Sequence, residues 1–312
     1  MSARNAQLRK LLSGEDILMA PGAHDALTAR IAEMCGFNAV YMTGAGTVNT
    51  QLGMPDHSII TLTEMVQNAA RLARATTLPV ISDADTGYGG VLNVMRTVRE
   101  FEMAGISGIH LEDQVMPKRC GHLQGKEIIA PEEMTAKIQA ACHARTDPDF
   151  LIIARVDARG PLGFDEAVKR GKAYLKAGAD MIFPEALESE AELRSYAREL
   201  SAPLLANMTE FGKTPFFSAE QFREMGYRMV IFPASAMRVA IKAIYELFSE
   251  IRHTGTQKQW SIECIRANSF MNCWTTTGCW NWKPNLPEKY RKSNRCSCQN
   301  NNELISKWRN DA

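Results

Sequence analysis

Short apolar runs alternate with amphipathic stretches along residues 17–252. The runs cover residues 17–21, 39–43, 79–83, 108–112, 150–156, 181–184, 203–207 and 228–233. Nearly all are continuously apolar rather than alternating with polar positions, the pattern of parallel strands buried on both faces. Between them apolar residues recur at helical spacing, as in residues 93–104 and 166–177, and several such stretches stop at a glycine (Gly36, Gly105, Gly178, Gly226). A glycine there supplies the left-handed residue that ends a helix. Strict βα alternation, eight times over, predicts an α/β chain folded as a (β/α)8 TIM barrel, with a doubly wound open sheet as the competing arrangement. In such barrels the chemistry sits at the carboxyl ends of the strands. Tyr41, Thr43, Asp83, Asp85, Glu112, Asp113, Arg155, Asp157, Glu185, Asn207, Thr209 and Glu210 all fall at or just beyond those ends.

Charge adds little to this picture except by exclusion. With 36 basic against 35 acidic residues and a formal charge of +1, nothing argues for a nucleic-acid groove or an anionic membrane surface, so a small molecule is the expected ligand. No run of about 18 apolar residues suggests a membrane span, and the first twelve residues lack the apolar core of a signal peptide. A soluble, cytoplasmic protein is expected. Cysteine and tryptophan change the picture more. Only Cys35, Cys120 and Cys142 precede residue 260, whereas Cys264, Cys273, Cys279, Cys296 and Cys298 and all five tryptophans lie from Trp260 onward. Residues 1–258 read as a reduced catalytic barrel, and residues 259–312 as a tail needing its own explanation.

The candidate chemistry centres on Lys118-Arg119-Cys120-Gly121-His122, shortly after Asp83, Asp85 and Glu112. A free thiol titrates near pH ~8.5, and adjacent cations lower that value, so Cys120 is a plausible proton donor or acceptor near neutrality. Its flanks, charged and rich in Gly, have loop composition rather than that of a buried small hydrophobe. Asp83, Asp85 and Glu112 are oxygen donors from neighbouring strands, a set suited to Mg2+ or Mn2+ rather than zinc; salt bridges to Lys118 or Arg155 are the bland alternative. Arg155 can clamp a carboxylate through two parallel hydrogen bonds, with Asn207 and Thr209 as further donors. The Thr43-Gly44-Ala45-Gly46 turn offers backbone N–H groups to an anion. A Schiff-base aldolase using Lys118 or Lys126 is a third possibility, one that leaves the carboxylates without a task.

These motifs resemble the isocitrate lyase and phosphoenolpyruvate mutase superfamily. The resemblance runs from about Pro21 to Lys258. It includes Pro21-Gly22-Ala23-His24-Asp25-Ala26, Asp83-Ala84-Asp85-Thr86-Gly87-Tyr88-Gly89, His110-Leu111-Glu112-Asp113-Gln114, Ala154-Arg155-Val156-Asp157, Phe183-Pro184-Glu185 and Ala206-Asn207-Met208-Thr209-Glu210-Phe211-Gly212, and the cysteine loop is that of the lyase branch. The resemblance implies a Mg2+-dependent carbon–carbon lyase acting on a 2-hydroxy di- or tricarboxylate of the methylisocitrate or alkylmalate type. The carboxyphosphonoenolpyruvate phosphonomutase branch and oxaloacetate hydrolysis or decarboxylation are its alternatives. By the same resemblance Asp85 would touch the metal, with Asp83 and Glu112 acting through waters. Tyr41, Thr43, Gly44 and Ala45 would hold the 2-oxo acid portion, and Arg155, Glu185, Asn207, Thr209, Gly121 and His122 the rest of the substrate. Cys120 would serve as general acid, Lys118, Arg119 and His122 would tune it, and Asp56 matches a further active-site acid. A homo-oligomer, a tetramer in the family, is implied as well.

The resemblance stops at residue 258. Because Met and Trp each have one codon, the bases under Met271-Asn272-Cys273-Trp274-Thr275 are partly known, and reading them from each codon's third base gives Glu-Leu-Leu-Asp. Cys279 to Lys283 gives Leu-Glu-Leu-Glu in the same frame. The family's terminal helix reads much like this, so the tail is expected to be a frameshift product. The rival, a zinc ribbon, lacks the paired C-x2-C spacing. An inactive or poorly assembled remnant is then an alternative to a working enzyme.

Overall fold

The computed structural model describes residues 2–119, 121 and 125–262. Its elements are, in chain order, α1 (Ala3–Leu12), β1 (Leu18–Ala23), α2 (Ala26–Met34), β2 (Val40–Met42), α3 (Gly44–Leu52), α4 (Leu62–Ala75), β3 (Val80–Asp83), α5 (Val91–Met103), β4 (Gly108–Glu112) and α6 (Pro131–Ala144). They continue with β5 (Leu151–Val156), α7 (Arg159–Leu162), α8 (Phe164–Lys176), β6 (Met181–Pro184), α9 (Glu190–Glu199), β7 (Leu205–Asn207), α10 (Ala219–Glu224), β8 (Met229–Phe232) and α11 (Ser235–Thr254).

All eight strands pair in parallel, in the order β6-β5-β4-β3-β2-β1-β8-β7. A parallel bridge between Ile182 and Leu204 joins β6 to the segment entering β7, so the sheet closes into a (β/α)8 barrel. The continuous apolar runs are explained by two faces with opposite fates. Residues of one parity, among them Leu18, Ala20, Ile81, Leu151, Ile153, Met181, Phe183, Leu205, Met229 and Ile231, form the barrel interior together with Leu8 and Leu12 of α1, which plugs its amino-terminal end. Residues of the other parity, such as Val40, Val80, Ile109, Ile152, Ile182 and Val230, form one core with the surrounding helices.

Local chemistry starts the helices where side chains can satisfy the free N–H groups of the first turn. Asp25 accepts from Thr28 N at 2.7 Å ahead of α2, and Thr61 with Glu64 forms a reciprocal capping box ahead of α4. One expectation is corrected here. The Thr43-Gly44-Ala45-Gly46 segment is not a free turn: Thr43 caps α3, accepting from Gly46 N at 3.2 Å. The N–H groups expected to face an anion are therefore those of a helix start.

Of the described residues, those up to Val239 form one compact unit, and those from Ala240 on, which include the rest of α11 and a 3-10 turn at Lys258–Ile262, belong to a second. The boundary drawn from the sequence at 258/259 falls inside this second unit. The expected frameshifted tail and its cysteines lie, from residue 263 on, outside the described residues. Among the described residues no helix is long and apolar enough to cross a membrane.

Candidate active site

Following the inward parity of each strand beyond its apolar layers leads directly to the polar residues at the carboxyl end. Tyr41 is followed two positions on by Thr43, Asp83 by Asp85, His110 by Glu112, Arg155 by Asp157, Phe183 by Glu185 and Asn207 by Thr209. A period of two keeps such pairs on one face of a strand. The barrel that buries Ile81 and Ile153 below thus aims carboxylates and a guanidinium at its own mouth.

The acidic cluster is buried: Asp83, Asp85 and Glu112 are 5%, 2% and 0% exposed. Asp85 has a left-handed backbone, φ 45°, and its N–H donates to Asp83 Oδ1 at 2.9 Å, while its carbonyl accepts from Glu112 N at 2.9 Å. A non-glycine residue in this region is held there by its surroundings, here by the two neighbouring acids. Lys118 Nζ lies 3.0 Å from Asp85 Oδ1 and 2.7 Å from Asp56 Oδ2. Burial works against the charge of Lys118, but Asp85, Glu112, Asp83 and Asp56 outweigh it and hold the ammonium well above its usual range. A protonated, ion-paired amine is no Schiff-base nucleophile. Lys126 is likewise engaged, with Asp157 at 2.8 Å and the Gly121 carbonyl at 2.7 Å.

Burial pushes the Asp85 carboxyl up to about 6, against the pull of Lys118. It raises Asp83 and Glu112 too. One oxygen of Asp85 and both of Glu112 have no hydrogen-bond partner, although Arg155 Nη1 approaches Glu112 Oε2 to 3.1 Å and Lys118 reaches Asp85. Buried carboxylate oxygens left with poorly aligned cations alone are costly, and a divalent cation is one group that would satisfy them. Among the described residues no three His, Cys, Asp or Glu side chains are drawn together as a ready metal cage. Carboxylate oxygens are the donor type that Mg2+ takes, one or two at a time while keeping its waters, so the chemistry of Asp83, Asp85 and Glu112 fits a hard, partly hydrated ion.

Opposite the acids, Arg155 is held by Glu112, by Asp157 (Nε to Oδ2, 2.8 Å) and by Glu185 at 3.4 Å. It also lies over the Phe183 ring, 5.3 Å from the centroid. Asn207 Nδ2 donates to Glu185 Oε2 at 3.2 Å. Tyr41 and His110 share a 2.7 Å hydrogen bond. Burial, with Arg155 nearby, pushes His110 down to about 3; burial, with Asp83, raises the Tyr41 hydroxyl well above its usual value. Both stay neutral near pH 7. Two glycines allow the backbone into this space. A Cβ on Gly44 would overlap the Asp83 carboxylate, 2.8 Å from its Cγ, and one on Gly121 would overlap Arg155 and lie 2.5 Å from Glu185 Cγ.

Contacts thus join Asp56, Asp83, Asp85, Glu112, Lys118, Gly121, Arg155, Glu185, Asn207, Tyr41 and Gly44 into one site. Thr43 lies at its edge as the cap of α3, beside Ala45 in that helix's first turn. Thr209 is joined instead to Arg238, whose guanidinium donates to its hydroxyl at 3.2 Å and to Glu210 Oε2 at 2.7 Å. Arg119 is exposed, with its main chain bonded to Gln114. Cys120 and His122 lie outside the described residues. The sequence reading gave no site role to His110, Asp157, Gln114 or Arg238, although Asp157 was among the residues it placed at the strand ends. The first two follow from strand parity alone; nothing in the local sequence marks Arg238, which arrives from α11.

A family model described as phosphoenolpyruvate phosphomutase matches residues 8–252. A 2-methylisocitrate lyase of Aeropyrum pernix is 53% identical over 251 residues, 80% of each chain. A 2,3-dimethylmalate lyase of Eubacterium barkeri is 49% identical over 80% of this chain and 87% of its own. Among solved structures, a phosphonopyruvate hydrolase in complex with oxalate and Mg2+ superposes with a TM-score of 0.79 at 30% identity, covering 88% of this chain and 96% of that one. With this match along the barrel, and with the site's acids and arginine in place, the chain belongs to the phosphoenolpyruvate mutase/isocitrate lyase superfamily.

Proposed function

We propose that the protein is a carbon–carbon lyase that cleaves a 2-hydroxy di- or tricarboxylate, of the methylisocitrate or alkylmalate type, to a 2-oxo acid and a carboxylic acid. The observation that carries this reading is the meeting, at one barrel mouth, of the buried carboxylates Asp83, Asp85 and Glu112, with one Glu112 oxygen left without a partner, and the buried cation Arg155. Half-identity to two lyases of such acids supports it.

Asp85, with Asp83 and Glu112, would hold Mg2+ or Mn2+. When bound, such an ion supplies a Lewis acid that polarises the 2-hydroxyl and the carboxylate beside it. The chain's own groups do the rest. The N–H groups at the start of α3, Gly44 and Ala45, with Thr43 and Tyr41, receive the 2-oxo acid portion, and Tyr41 remains a proton donor because its hydroxyl resists ionisation. Arg155, Asn207, Gly121 and His122 orient the other carboxylates, with Glu185 holding Arg155 and Asn207 in place and Thr209 contributing from the edge beside Arg238. Asp56, paired with Lys118, takes the 2-hydroxyl proton. As the carbon–carbon bond breaks, its electron pair stays on the carbon of the departing carboxylic acid, and the Cys120 thiol protonates that carbon. Lys118, Arg119 and His122 keep the resulting thiolate accessible near neutrality.

Binding of the cation predicts a particular pH dependence. The Asp85 carboxyl titrates higher when folded than its ordinary 3.8, at about 6. The folded state therefore holds that proton more tightly, and the metal-free protein loses stability as pH rises across this window. A cation needs the deprotonated form. Mg2+ is expected to raise the melting temperature clearly at pH 8 and little at pH 5; equal shifts at both would count against metal binding at Asp85.

We also propose a cytoplasmic homo-oligomer, an arrangement favoured by Ile241, Ile244, Tyr245 and Phe248 of α11, which are exposed in the single chain. The shifted reading frame from about residue 259 favours a second outcome, a remnant of low activity. A panel of 2-methylisocitrate, 2,3-dimethylmalate and oxaloacetate, run on this chain and on one with the frame restored, separates the cases. Cleavage of one of the first two acids by both chains supports a working lyase, and cleavage by the restored chain alone supports the remnant. Oxaloacetate as the sole substrate, or no turnover by either, overturns the assignment.

A further inference from the structure

Three buried polar side chains beside the site take no part in the chemistry above: Gln114, Lys126 and Asp157, which are 1%, 7% and 0% exposed. Asp157 is the hub. Its Oδ1 accepts from Lys126 Nζ at 2.8 Å, Gln114 Nε2 at 3.1 Å and Arg155 Nη2 at 3.1 Å, and its Oδ2 accepts from Arg155 Nε at 2.8 Å. Burial opposes its charge, but Arg155 and Lys126 hold its carboxyl below the usual range. The hub is fastened from behind: Asp157 N donates to Asp113 Oδ1 at 2.8 Å, and Asp113 Oδ2 accepts from Tyr174 at 2.8 Å and Arg170 at 3.1 Å.

From this hub two arms reach the main chain on either side of position 120. The Gln114 amide grips Arg119 at both of its backbone groups, donating to its carbonyl at 2.9 Å and accepting from its N–H at 3.0 Å. Lys126 Nζ donates to the Gly121 carbonyl at 2.7 Å. Gly121 is itself seated where no Cβ fits against Arg155 and Glu185. The base of the segment is tied as well, by the antiparallel bridge of Gln114 to Ile128 and by Val115 N to the Glu127 carbonyl at 2.8 Å. A surface salt bridge would contribute little; the Lys126 bond is buried and charge-assisted, the stronger kind, and the Gln114 amide satisfies both backbone groups of Arg119 at once.

We propose that Asp157, through Gln114 and Lys126, is a positioning device that fastens Arg119 and Gly121, the chain neighbours of Cys120, to the carboxylate-binding Arg155. One carboxylate thereby sets the distance between the group that holds the substrate and the segment that carries the proton donor. What is being positioned rests on the lyase reading above; the fastening itself does not.

The test uses the full chain without substrate and follows tryptic cleavage between Arg119 and Cys120. Lys126→Met removes one arm while leaving Asp157 its bonds to Arg155. Cleavage there is expected to quicken about 10-fold or more, the scale of one charge-assisted hydrogen bond lost from a locally opening segment. Cleavage at other sites and the melting temperature should hold, and Lys126→Arg should recover part of the protection. Gln114→Leu, which removes the other arm, gives the same reading if the first variant fails to fold. Where the substrate panel is turned over, kcat of Lys126→Met should fall about 10-fold with KM little changed, the pattern of lost orientation rather than lost binding. Unchanged protection at Arg119 in both variants, or cleavage that rises equally throughout the chain, overturns the proposal. Protection that depends on Lys126 in a protein that cleaves none of the acids keeps the device and removes the lyase.

Discussion

Exchanging Cys120 for serine is expected to lower the rate of substrate cleavage by about 10²–10⁴-fold, the range supplied by a positioned general acid. A serine hydroxyl is a far weaker acid than a thiol, so the departing carbanion would have to wait for water. The exchange is small, and the ties that fasten its neighbours run to the backbone of Arg119 and Gly121. KM, the melting temperature and the Mg2+-induced shift should therefore stay close to those of the parent chain. Steady-state kinetics of both proteins check this: a fall in kcat of less than about threefold would place the proton donor elsewhere.

Asp85→Asn should have a comparably large effect by another route. It removes a buried charge that burial already holds in a raised state, and the amide offers the cation one neutral oxygen in place of a carboxylate. Affinity for Mn2+ should fall by more than the roughly 10–100-fold that removal of a supporting second-sphere partner costs, and cleavage should be lost with it. The metal-free protein at pH 8 should lose no stability and can gain some, since sites shaped for binding often sacrifice stability. Titration followed by the electron paramagnetic resonance of Mn2+, alongside thermal melting, reads both. Unaltered Mn2+ binding would move the ion away from Asp85.

The barrel was legible because the whole chain up to residue 239 repeats one unit. Continuous apolar runs such as residues 150–156 mark strands with two buried faces, and the glycines that end helices stand at Gly36, Gly105, Gly178 and Gly226, each with φ between 83° and 111°. Two helices escaped the pattern for physical reasons. α1 has a mostly polar sequence and is held by tertiary bonds instead, Arg9 to the Asp149 carbonyl and Asn5 to Asp147. α3 begins with Gly44-Ala45-Gly46, a composition that reads as a turn. Its signals were Thr43 as cap and Gly53, left-handed at φ 62°, as stop.

Within the site, the acids and Arg155 were readable as residue types at strand ends and Lys118 as part of a charged loop, and the structure brings these side chains into contact. Their pairings were not readable. That Lys118 bridges Asp56 and Asp85 depends on a loop closing over some sixty residues of intervening chain, with Ser58 Oγ accepting from Lys118 N at 2.8 Å. Asp157 shows the opposite case. Strand parity places it on the same face as Arg155, yet its role as hub emerges only once Gln114 and Lys126 converge on it from a different segment.

The central claim, that a cation held by acids of β3 and β4 supports cleavage of a carbon–carbon bond, is tested most directly by product analysis in D2O. The parent chain is incubated with the substrate it prefers, with Mg2+ and after chelation with EDTA, and both fragments are identified by mass spectrometry. The account predicts equal amounts of a 2-oxo acid and a carboxylic acid, the latter carrying one deuterium at the carbon where the bond broke, with Mg2+ present and none after chelation. Cleavage that continues undiminished in EDTA, or a carboxylic acid without that deuterium, would contradict it.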